Sequence, residues 1–204
     1  MIPPGRVDET APTMTAIGTV TGQLVVLRPV AIEDLEAIRA IRADPRLRKL
    51  IMAAGPAETA EQQQRWFDTM DQRADQRIAV IASTSAPDVL GVIGLYDIDQ
   101  TAHFATWGIY LNQRGARMTG ASVEAALLLL DYAFSCGLER VGARVLEENR
   151  HVRSLLHRFA FRETSPQPAD AVEMELSAAD YDAARPAIAR VIDAVAARSE
   201  LDSP

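Results

Sequence analysis

The chain alternates between short β-branched runs and longer segments in which apolar side chains recur at helical spacing. Gln23–Val30 predicts a first strand, because it is short and rich in Val and Leu. Within residues 32–43, Leu35, Ile38 and Ile41 recur between charged positions, which predicts an amphipathic helix. The same two patterns assign the rest of the chain. Strands are predicted over 77–83, 89–96, 102–111, 141–147 and 172–177, and helices over 59–73, 119–135, from Asn149 onward, and 180–199.

The helix predicted over 119–135 is apolar almost all round, so it must be buried, and Gly137 is suited to end it. The order of elements predicts an α+β fold, or an α/β fold, with a mixed sheet. Residues 1–22 lack periodicity and predict a flexible extension, while residues 23–177 are predicted to form a single domain. Residues 178–204 predict a C-terminal helix that either docks on this domain or forms a homodimer contact.

Composition narrows the range of functions. The net charge of −7 argues against a nucleic-acid partner, which would need a basic face. Cys136 is the only cysteine and the three histidines are not spaced as zinc ligands, so no metal site is expected. Residues 1–20 have no apolar signal region, and the longest aliphatic run is too short to span a bilayer. We therefore expect a cytoplasmic protein with no membrane partner.

One loop carries candidate chemistry. Residues 117–122 connect a predicted strand to the buried helix, whose N-terminus leaves backbone N–H groups unpaired and whose dipole favours negative charge. Small residues such as Gly120 let a phosphate approach the backbone, and Arg117 stands at the mouth of the loop. These residues alone leave two interpretations open: an ordinary turn of small residues, or a cradle for a pyrophosphate.

The loop resembles the [R/Q]-x-x-G-x-[G/A] motif of the GCN5-related N-acetyltransferase (GNAT) superfamily. Arg117 and Gly120 match that motif, and Ser122 replaces its final small residue. Other segments resemble the family as well. They are Leu27-Arg28-Pro29 with Glu33-Asp34, the G-V-I-G-L-Y run at 91–96, the W-G-I-Y run at 107–110, and the stretch 145–161 around Asn149. The resemblance is closest to branches that acetylate ribosomal-protein N-termini or amino-sugar nucleotides.

The resemblance implies a GNAT fold, with helices flanking a mostly antiparallel sheet that splays between its fourth and fifth strands. It implies acetyl-CoA as co-substrate and no metal. Backbone donors near Tyr110 and Leu111 would polarise the thioester carbonyl, and Asn149 would hydrogen-bond the pantetheine arm. The pyrophosphate would be held beside Arg117 by the amides of Met118, Thr119, Gly120, Ala121 and Ser122.

The chain departs from the family at the positions used for proton transfer. Leu156 replaces the usual acid, a Tyr, and Thr106 and Arg144 stand where a Glu is common. Either other groups act, or positioning alone suffices, or the chain binds acyl-CoA without transferring the acyl group. For the first explanation we expect His103, which titrates in the useful range, and Tyr110 to be catalytic.

For the acceptor, Asp97 and Asp99 would share a strand face and bind a substrate ammonium, unless they form a solvated turn. Trp66 would line the acceptor pocket, unless it only packs in the core. The expected function is transfer of an acetyl group from acetyl-CoA to a primary amine of a small molecule, by direct attack. An amino-sugar nucleotide or an antibiotic-like amine would be the substrate. The alternatives are a protein N-terminal acetyltransferase and a non-catalytic acyl-CoA-binding or regulatory protein.

Overall fold

The computed structural model describes residues 14–50, 59–86, 88–164 and 171–201, with the backbone alone for residues 199–201. Its strands are β1 (Val20–Thr21), β2 (Val25–Arg28), β3 (Gln76–Ser83), β4 (Val89–Asp99), β5 (Phe104–Leu111), β6 (Arg140–Leu146), β7 (Arg162–Glu163) and β8 (Ala171–Ser177). Its helices are α1 (Leu35–Ala43), which follows a 3₁₀ turn at Ile32–Asp34, α2 (Pro45–Arg48), α3 (Ala60–Met70), α4 (Gln113–Arg117), α5 (Ala121–Ser135), α6 (Arg150–Arg158) and α7 (Ala178–Leu201).

The strands form one eight-stranded sheet in the order β1-β2-β3-β4-β5-β6-β8-β7. Among these described strands, β5 and β6 are the only parallel neighbours, and all other neighbours are antiparallel. Helices pack on both faces of the sheet. The prediction of an α+β fold with a mixed, mostly antiparallel sheet is confirmed.

The two faces of the sheet carry separate apolar layers, because successive side chains of a strand point to opposite sides. One layer includes Ile93 and Leu95 of β4 and packs against α5. The other includes Val80 and Val92, with Ile38 of α1 packed against them. This second layer also contains the apolar side chains of α3, so α1 and α3 cover one face together.

Helix α5 is apolar on every side because it lies between the sheet and α7. Leu129 and Leu130 are 0% and 1% exposed. From α7, Tyr181, Ile188 and Ile192 are buried in the same core. The C-terminal helix therefore docks on the domain.

The described part of the N-terminal segment, residues 14–22, is packed on the domain, which corrects the prediction of a flexible extension there. Met14 and Ile17 are 2% and 3% exposed, and β1 adds an antiparallel strand to β2. The guanidinium of Arg77 donates to the carbonyl oxygens of Met14 and Thr15, which ties this segment to β3. Residues 1–13 of the predicted extension lie outside the described residues.

An ion pair joins β2 to the turn before α1. The guanidinium of Arg28 donates to both carboxylate oxygens of Asp34 at 2.6 and 2.7 Å, and the N–H of Ala31 donates to the same group at 2.8 Å. Burial by itself raises the pKa of Asp34, but these hydrogen bonds outweigh burial and hold it below its ordinary value. The L-R-x-x-x-x-E-D resemblance therefore has a structural basis in this corner.

Some short elements differ from the prediction. Helix α4 is unpredicted because its five residues have no apolar spacing. It begins where Oδ1 of Asn112 accepts a hydrogen bond from the N–H of Gly115 at 2.7 Å. Strand β4 runs on to Asp99 through an irregularity at which Asp97 has a φ of 50°. Strand β5 begins only at Phe104, so His103 lies in the preceding turn.

Candidate active site

Strands β5 and β6 separate partway along their length. Residues 104–106 of β5 pair with residues 140–142 of β6, and residues 107–111 have no partner strand on that side among the described residues. At the paired end the ring of Phe104 lies over Gly142, where a Cβ would come within 2.6 Å of it. Strand β6 continues to pair with β8 throughout. A wedge-shaped gap therefore opens toward the carboxyl ends of β5 and β6.

A cavity of about 430 Å³ occupies this gap and extends over the face of the sheet that α1 and α3 cover. Residues 107–110 of β5 and 143–145 of β6 line it. The other lining residues are Arg42, Leu50, Trp66, Gln76, Ile78, Tyr96, Asn149 and Val152. A volume of this size is typical of small-molecule sites. The splay of the sheet thus brings polar groups from both faces of the sheet to one cavity.

Beside the gap, the N-terminus of α5 presents unpaired backbone N–H groups. Gly120 is its N-cap residue, and no side chain caps the helix. Four N–H groups at this end donate to no residue that the structure describes, namely those of Thr119, Gly120, Ser122 and Val123. Unpaired amides at the positive end of a helix dipole favour an anion.

Two of the predicted phosphate-binding amides are already used inside the protein, which corrects that part of the prediction. The N–H of Met118 donates to the carbonyl oxygens of Arg114 and Gly115 at 3.0 and 3.3 Å. The N–H of Ala121 donates to the carbonyl oxygen of Met118 at 3.2 Å. Arg117, in contrast, is exposed at the end of α4 and makes no hydrogen bond or ion pair with any residue in the described ranges.

The loop requires glycine at position 120. Gly120 has a φ of 83°, a conformation that side chains disfavour. A Cβ there would also lie 2.8 Å from Cδ1 of Leu24 and 3.2 Å from Cγ1 of Val195. The absent side chain therefore lets β2 and α7 pack directly behind the anion-binding turn.

Glu124 is the acidic residue in the first turn of α5, and its charge is directed away from the loop. Its carboxylate accepts hydrogen bonds from the N–H groups of Gln23, Leu24 and Val25 at 2.7, 2.7 and 2.8 Å. The side chain is 3% exposed. Glu124 thus pairs with the start of β2 and fastens that strand to α5.

The backbone of β5 offers donors to the gap. The N–H of Asn112 donates to the carbonyl oxygen of Leu90 at 2.7 Å and therefore points toward β4. Because N–H directions alternate along a strand, the amide of Tyr110 also faces β4, whereas those of Ile109 and Leu111 face the gap. Leu111 thus offers its N–H as expected, and Ile109 takes the place expected of Tyr110.

Asn149 lies at the edge of the cavity, in a position fixed by its role as N-cap of α6. Its Oδ1 accepts a hydrogen bond from the N–H of Val152 at 3.3 Å. This bond leaves the amide –NH₂ of Asn149 to donate to a ligand, since none of its bonds to the described chain uses that group.

Tyr96 lines the cavity and is the functional candidate that the sequence patterns did not reveal. Its ring lies over Gly94 and Gly108, which face each other across β4 and β5. A Cβ would lie 3.1 Å from the Tyr96 hydroxyl at Gly94 and 3.2 Å from the ring at Gly108. Burial raises the pKa of Tyr96, Tyr110 raises it further, and Arg42 lowers it by less. The G-L-Y run gives the one available signal, since Gly94 and Tyr96 share a strand face.

Tyr110 also lines the cavity, next to Tyr96. Leu156, which stands where the family's usual acid would be, is 1% exposed and packs in the main core. The two phenol groups on the sheet are therefore the hydroxyl acids among the described lining residues.

His103, predicted to be catalytic, is not among the residues that line this cavity. It precedes the paired end of β5, about five residues or 16 Å along the strand from Gly108. A φ of 49° turns its ring toward α5, where Nδ1 lies 3.0 Å from the carbonyl oxygen of Gly137. This contact gives His103 a structural role, because it links the turn before β5 to the residues that follow α5.

Asp97 and Asp99, predicted to bind a substrate ammonium, are likewise exposed and outside the lining of this cavity. Asp99 caps a turn, with Oδ1 accepting from the N–H groups of Thr101 and Ala102 at 2.9 Å each. Trp66, in contrast, lines the cavity from α3 as well as packing on the second apolar layer.

The charged residues among the described lining are Arg42 and Arg144. Arg144 lies opposite Glu173 across the β6–β8 ladder, with Nε and Oε1 4.0 Å apart. Gln76 is 8% exposed, and its buried Nε2 has no hydrogen-bond partner. Within the described ranges no cluster of His, Cys, Asp and Glu could hold a metal ion, and no helix has the length and apolar character to cross a bilayer.

Comparisons with known proteins agree with this architecture. A family model described as "Acetyltransferase (GNAT) domain" matches residues 25–162, more than half of the chain. Among curated protein sequences, none matches this chain.

Several solved structures have a similar fold. One is apo FdhC, a nucleotide-linked sugar GNAT, which is 21% identical with a TM-score of 0.73 over 85% of this chain and 97% of the other. A GCN5-related N-acetyltransferase from Brucella melitensis is 20% identical, with a TM-score of 0.71 over 90% of each chain. Spermidine N-acetyltransferase from Vibrio cholerae, in complex with CoA and spermine, is 17% identical with a TM-score of 0.71 over 78% of this chain and 99% of the other.

Proposed function

The chain belongs to the acetyltransferase (GNAT) domain family, and from that premise we propose that it moves an acetyl group from acetyl-CoA to a primary amine of a small molecule. Small-molecule acceptors are supported by two structures with a similar fold, a nucleotide-linked sugar GNAT and a spermidine N-acetyltransferase. An amino-sugar nucleotide or an antibiotic-like amine are the acceptor classes we propose.

One observation carries this proposal: the gap opens toward the carboxyl end of β5, and from there the chain runs through α4 directly to the unpaired amides at the start of α5. A coenzyme A thioester needs a site for its pyrophosphate and a path that leads its thiol end to the reaction centre. Thr119, Gly120 and Ser122 supply the first, with the guanidinium of Arg117 next to them. Residues 107–111, whose outer edge is unpaired, supply the second.

When bound, the thioester supplies an activated acyl carbonyl. The N–H groups of Ile109 and Leu111 donate to its oxygen, in a position where they stabilise negative charge that develops during attack. The amide of Asn149 holds the arm at the edge of the cavity. Trp66 and Ile78 exclude water from the acceptor side of the cavity, which strengthens these polar contacts.

Tyr96 is the proton donor in this proposal. The amine nitrogen forms a C–N bond to the acyl carbon as the C–S bond breaks, the sulfur takes the phenolic proton of Tyr96, and the nitrogen loses its proton to water. Tyr96 regains a proton from solvent afterwards, so no net proton is consumed. A phenol carries its proton at neutral pH, and burial raises the pKa of Tyr96 further, so the donating form persists as the pH rises.

Calorimetric titration with acetyl-CoA tests the loop. Because a side chain at Gly120 would disturb packing, the informative substitution is at Thr119, which is exposed. We expect Thr119→Glu to weaken binding at least about tenfold, since a negative charge within a few ångströms of phosphate costs about 1–4 kcal/mol. Thr119→Gln has the same shape without the charge and should change the affinity by less than about threefold.

A second pair tests the guanidinium. Arg117→Glu should weaken acetyl-CoA binding, whereas Arg65→Glu makes the same charge change on the exposed face of α3 and should not. Equal affinities for wild type, Thr119→Glu and Arg117→Glu would contradict the loop assignment, and so would the absence of acetyl-CoA binding to the wild-type protein. Release of free thiol with amines or with peptide N-termini then separates the small-molecule enzyme from a peptide acetyltransferase. Binding without thiol release identifies a non-catalytic protein.

A further inference from the structure

The acceptor side of the cavity carries positive charge where an amine-binding site would be expected to carry negative charge. Arg42 and Arg144 line it, and no acidic residue does so among the lining residues that the structure describes. Asp97 and Asp99, the acids expected to bind an ammonium, are exposed elsewhere. Glu173 lies behind Arg144, with Oε1 4.0 Å from its Nε, but does not line the cavity. A polycationic acceptor would therefore meet like charge, and no carboxylate, among the described lining residues.

Arg42 is placed to act on the acceptor. It lies in the last turn of α1, on the face of the sheet that α1 and α3 cover, and its side chain is half-buried. Its charge is close enough to the Tyr96 hydroxyl to lower the pKa of that group. A guanidinium in this position attracts an oxyanion and can hold it with two parallel hydrogen bonds.

Gln76 provides an independent observation. Its side chain is more than nine-tenths buried and lines the same cavity, yet its Nε2 has no hydrogen-bond partner. Buried donors in native proteins are nearly always paired with protein, water or ligand, so this –NH₂ is available to an oxygen that enters the cavity. The –NH₂ of Gln76 and the guanidinium of Arg42 are both able to donate hydrogen bonds to an acceptor-rich ligand group.

We propose that the acceptor is an amine that also carries an oxyanion, either a carboxylate or a phosphate, and that Arg42 and Gln76 bind this oxyanion while the amino group points to the gap. This inference rests on the proposed function and specifies its substrate class. Leu50, Trp66 and Ile78 form an apolar wall for the body of the substrate. We expect a polyamine, which has no oxyanion, to be a poor acceptor.

Matched pairs of amines test the proposal and distinguish its two oxyanions. Glucosamine 6-phosphate is compared with glucosamine, L-leucine with L-leucinamide, and spermidine is the polycationic probe. Thiol release gives kcat/KM for each at equal concentrations of neutral amine, and calorimetry gives the affinity of each for the CoA-loaded protein. We expect at least one anionic member to exceed its uncharged partner by tenfold or more in both measurements, with spermidine below both.

Substitutions inside and outside the cavity test whether Arg42 and Gln76 cause the preference for an anionic amine. Arg42→Gln should lower kcat/KM and affinity for the anionic amine by at least about tenfold more than for its uncharged partner. Arg39→Gln removes a charge one turn earlier on α1, from a side chain paired with Glu36 outside the cavity, and should leave both members unchanged. Gln76→Leu should weaken binding of the anionic amine about fivefold, because the variant loses the –NH₂ donor.

Acetyl-CoA titration separates failure of this inference from failure of the proposed function. If acetyl-CoA does not bind, the proposed function fails first. If acetyl-CoA binds and neither pair favours its anionic member, in turnover or in binding, the inference is overturned. Preference for spermidine, or an equal loss for both members of a pair in Arg42→Gln, overturns it as well.

Discussion

Three glycines of this chain occupy positions where a single methyl group would block a specific contact. Gly120 lets Leu24 and Val195 pack behind the anion-binding turn. Gly94 and Gly108 form a flat surface for the ring of Tyr96. These contacts position the anion-binding turn and the ring of Tyr96. The candidate site therefore depends on the three glycines as well as on the side chains that line the cavity.

The Tyr96→Phe substitution tests the proposed acid. General acid catalysis contributes about 10²–10⁴-fold, so we expect kcat to fall at least about 100-fold while the affinity for acetyl-CoA stays the same. Steady-state kinetics with calorimetry measures both. Tyr110→Phe removes a hydroxyl from the same cavity and should lower kcat by less than about tenfold, because the phenolic proton of Tyr96 remains in place.

The pH dependence gives a second check on the same residue. The raised pKa of Tyr96 means that its donor form persists as the pH rises, so wild-type kcat should not fall between about pH 7 and pH 9. A loss of activity over that interval, or an unchanged kcat in Tyr96→Phe, would exclude Tyr96 as the acid.

The proton donor that we propose could not be found from the sequence alone. His103 was the natural choice because histidine is a common acid–base residue, but the left-handed turn at His103 directs the ring to Gly137, and no spacing rule reveals such a turn. Tyr96 was overlooked because its importance depends on Gly108, which belongs to a different strand. The amide donors were predictable to within one residue, since only the parity of β5 separates Ile109 from Tyr110.

Elements that depend on periodicity were predicted well, and those that depend on capping or edge pairing were not. The long helix α5 is recognisable because an apolar pattern over 15 residues admits no other interpretation. Helix α4 depends on one cap from Asn112, and β1 is two residues that pair with β2. Such elements carry too few residues to show a pattern, although α4 holds Arg117 at the mouth of the loop.

Glu124 is the joint between α5 and the segment that leads into β2, and Glu124→Gln tests this joint. The carboxylate accepts from the backbone N–H groups of Gln23, Leu24 and Val25, where the chain enters β2. An amide –NH₂ in its place would put a donor against donors. We expect the free energy of unfolding to fall by about 3 kcal/mol. Denaturant titration measures it, and Glu139→Gln, at an exposed acid outside this joint, should change it by less than about 0.5 kcal/mol.

A weaker effect of Glu124→Gln than of Glu139→Gln would show that the buried carboxylate does not hold β2 to α5. If the joint acts as described, acetyl-CoA affinity should also fall in Glu124→Gln, because Leu24 supports the turn at Gly120. If folded Glu124→Gln protein binds acetyl-CoA with the wild-type affinity, Glu124 contributes to stability alone.

The molecule as a whole includes α7, because this helix completes the burial of α5. The hydroxyl of Tyr181 donates to Asp131 at 2.7 Å and the guanidinium of Arg185 to the same carboxylate at 2.6 Å. Together with the apolar contacts, this network makes the C-terminal helix part of the cooperative unit that carries the site. Sequence patterns identified the helix and its apolar face but not its partner, since the same face serves for docking or for dimerisation.

Neighbouring positions on α7 distinguish these two roles of the helix. Ile192 is 2% exposed and Val191 is 50% exposed. Ile192→Ala should lower the free energy of unfolding by about 3 kcal/mol through loss of buried methyl groups, whereas Val191→Ala should change it by less than about 0.5 kcal/mol. In a chain of this length the first effect corresponds to a fall in Tm of about 6–12 °C in a single transition, which calorimetric scanning measures. A Tm lowered by Val191→Ala and dependent on protein concentration would instead place the outer face of α7 in a contact between chains, because only an assembly that dissociates on unfolding has a midpoint that varies with concentration.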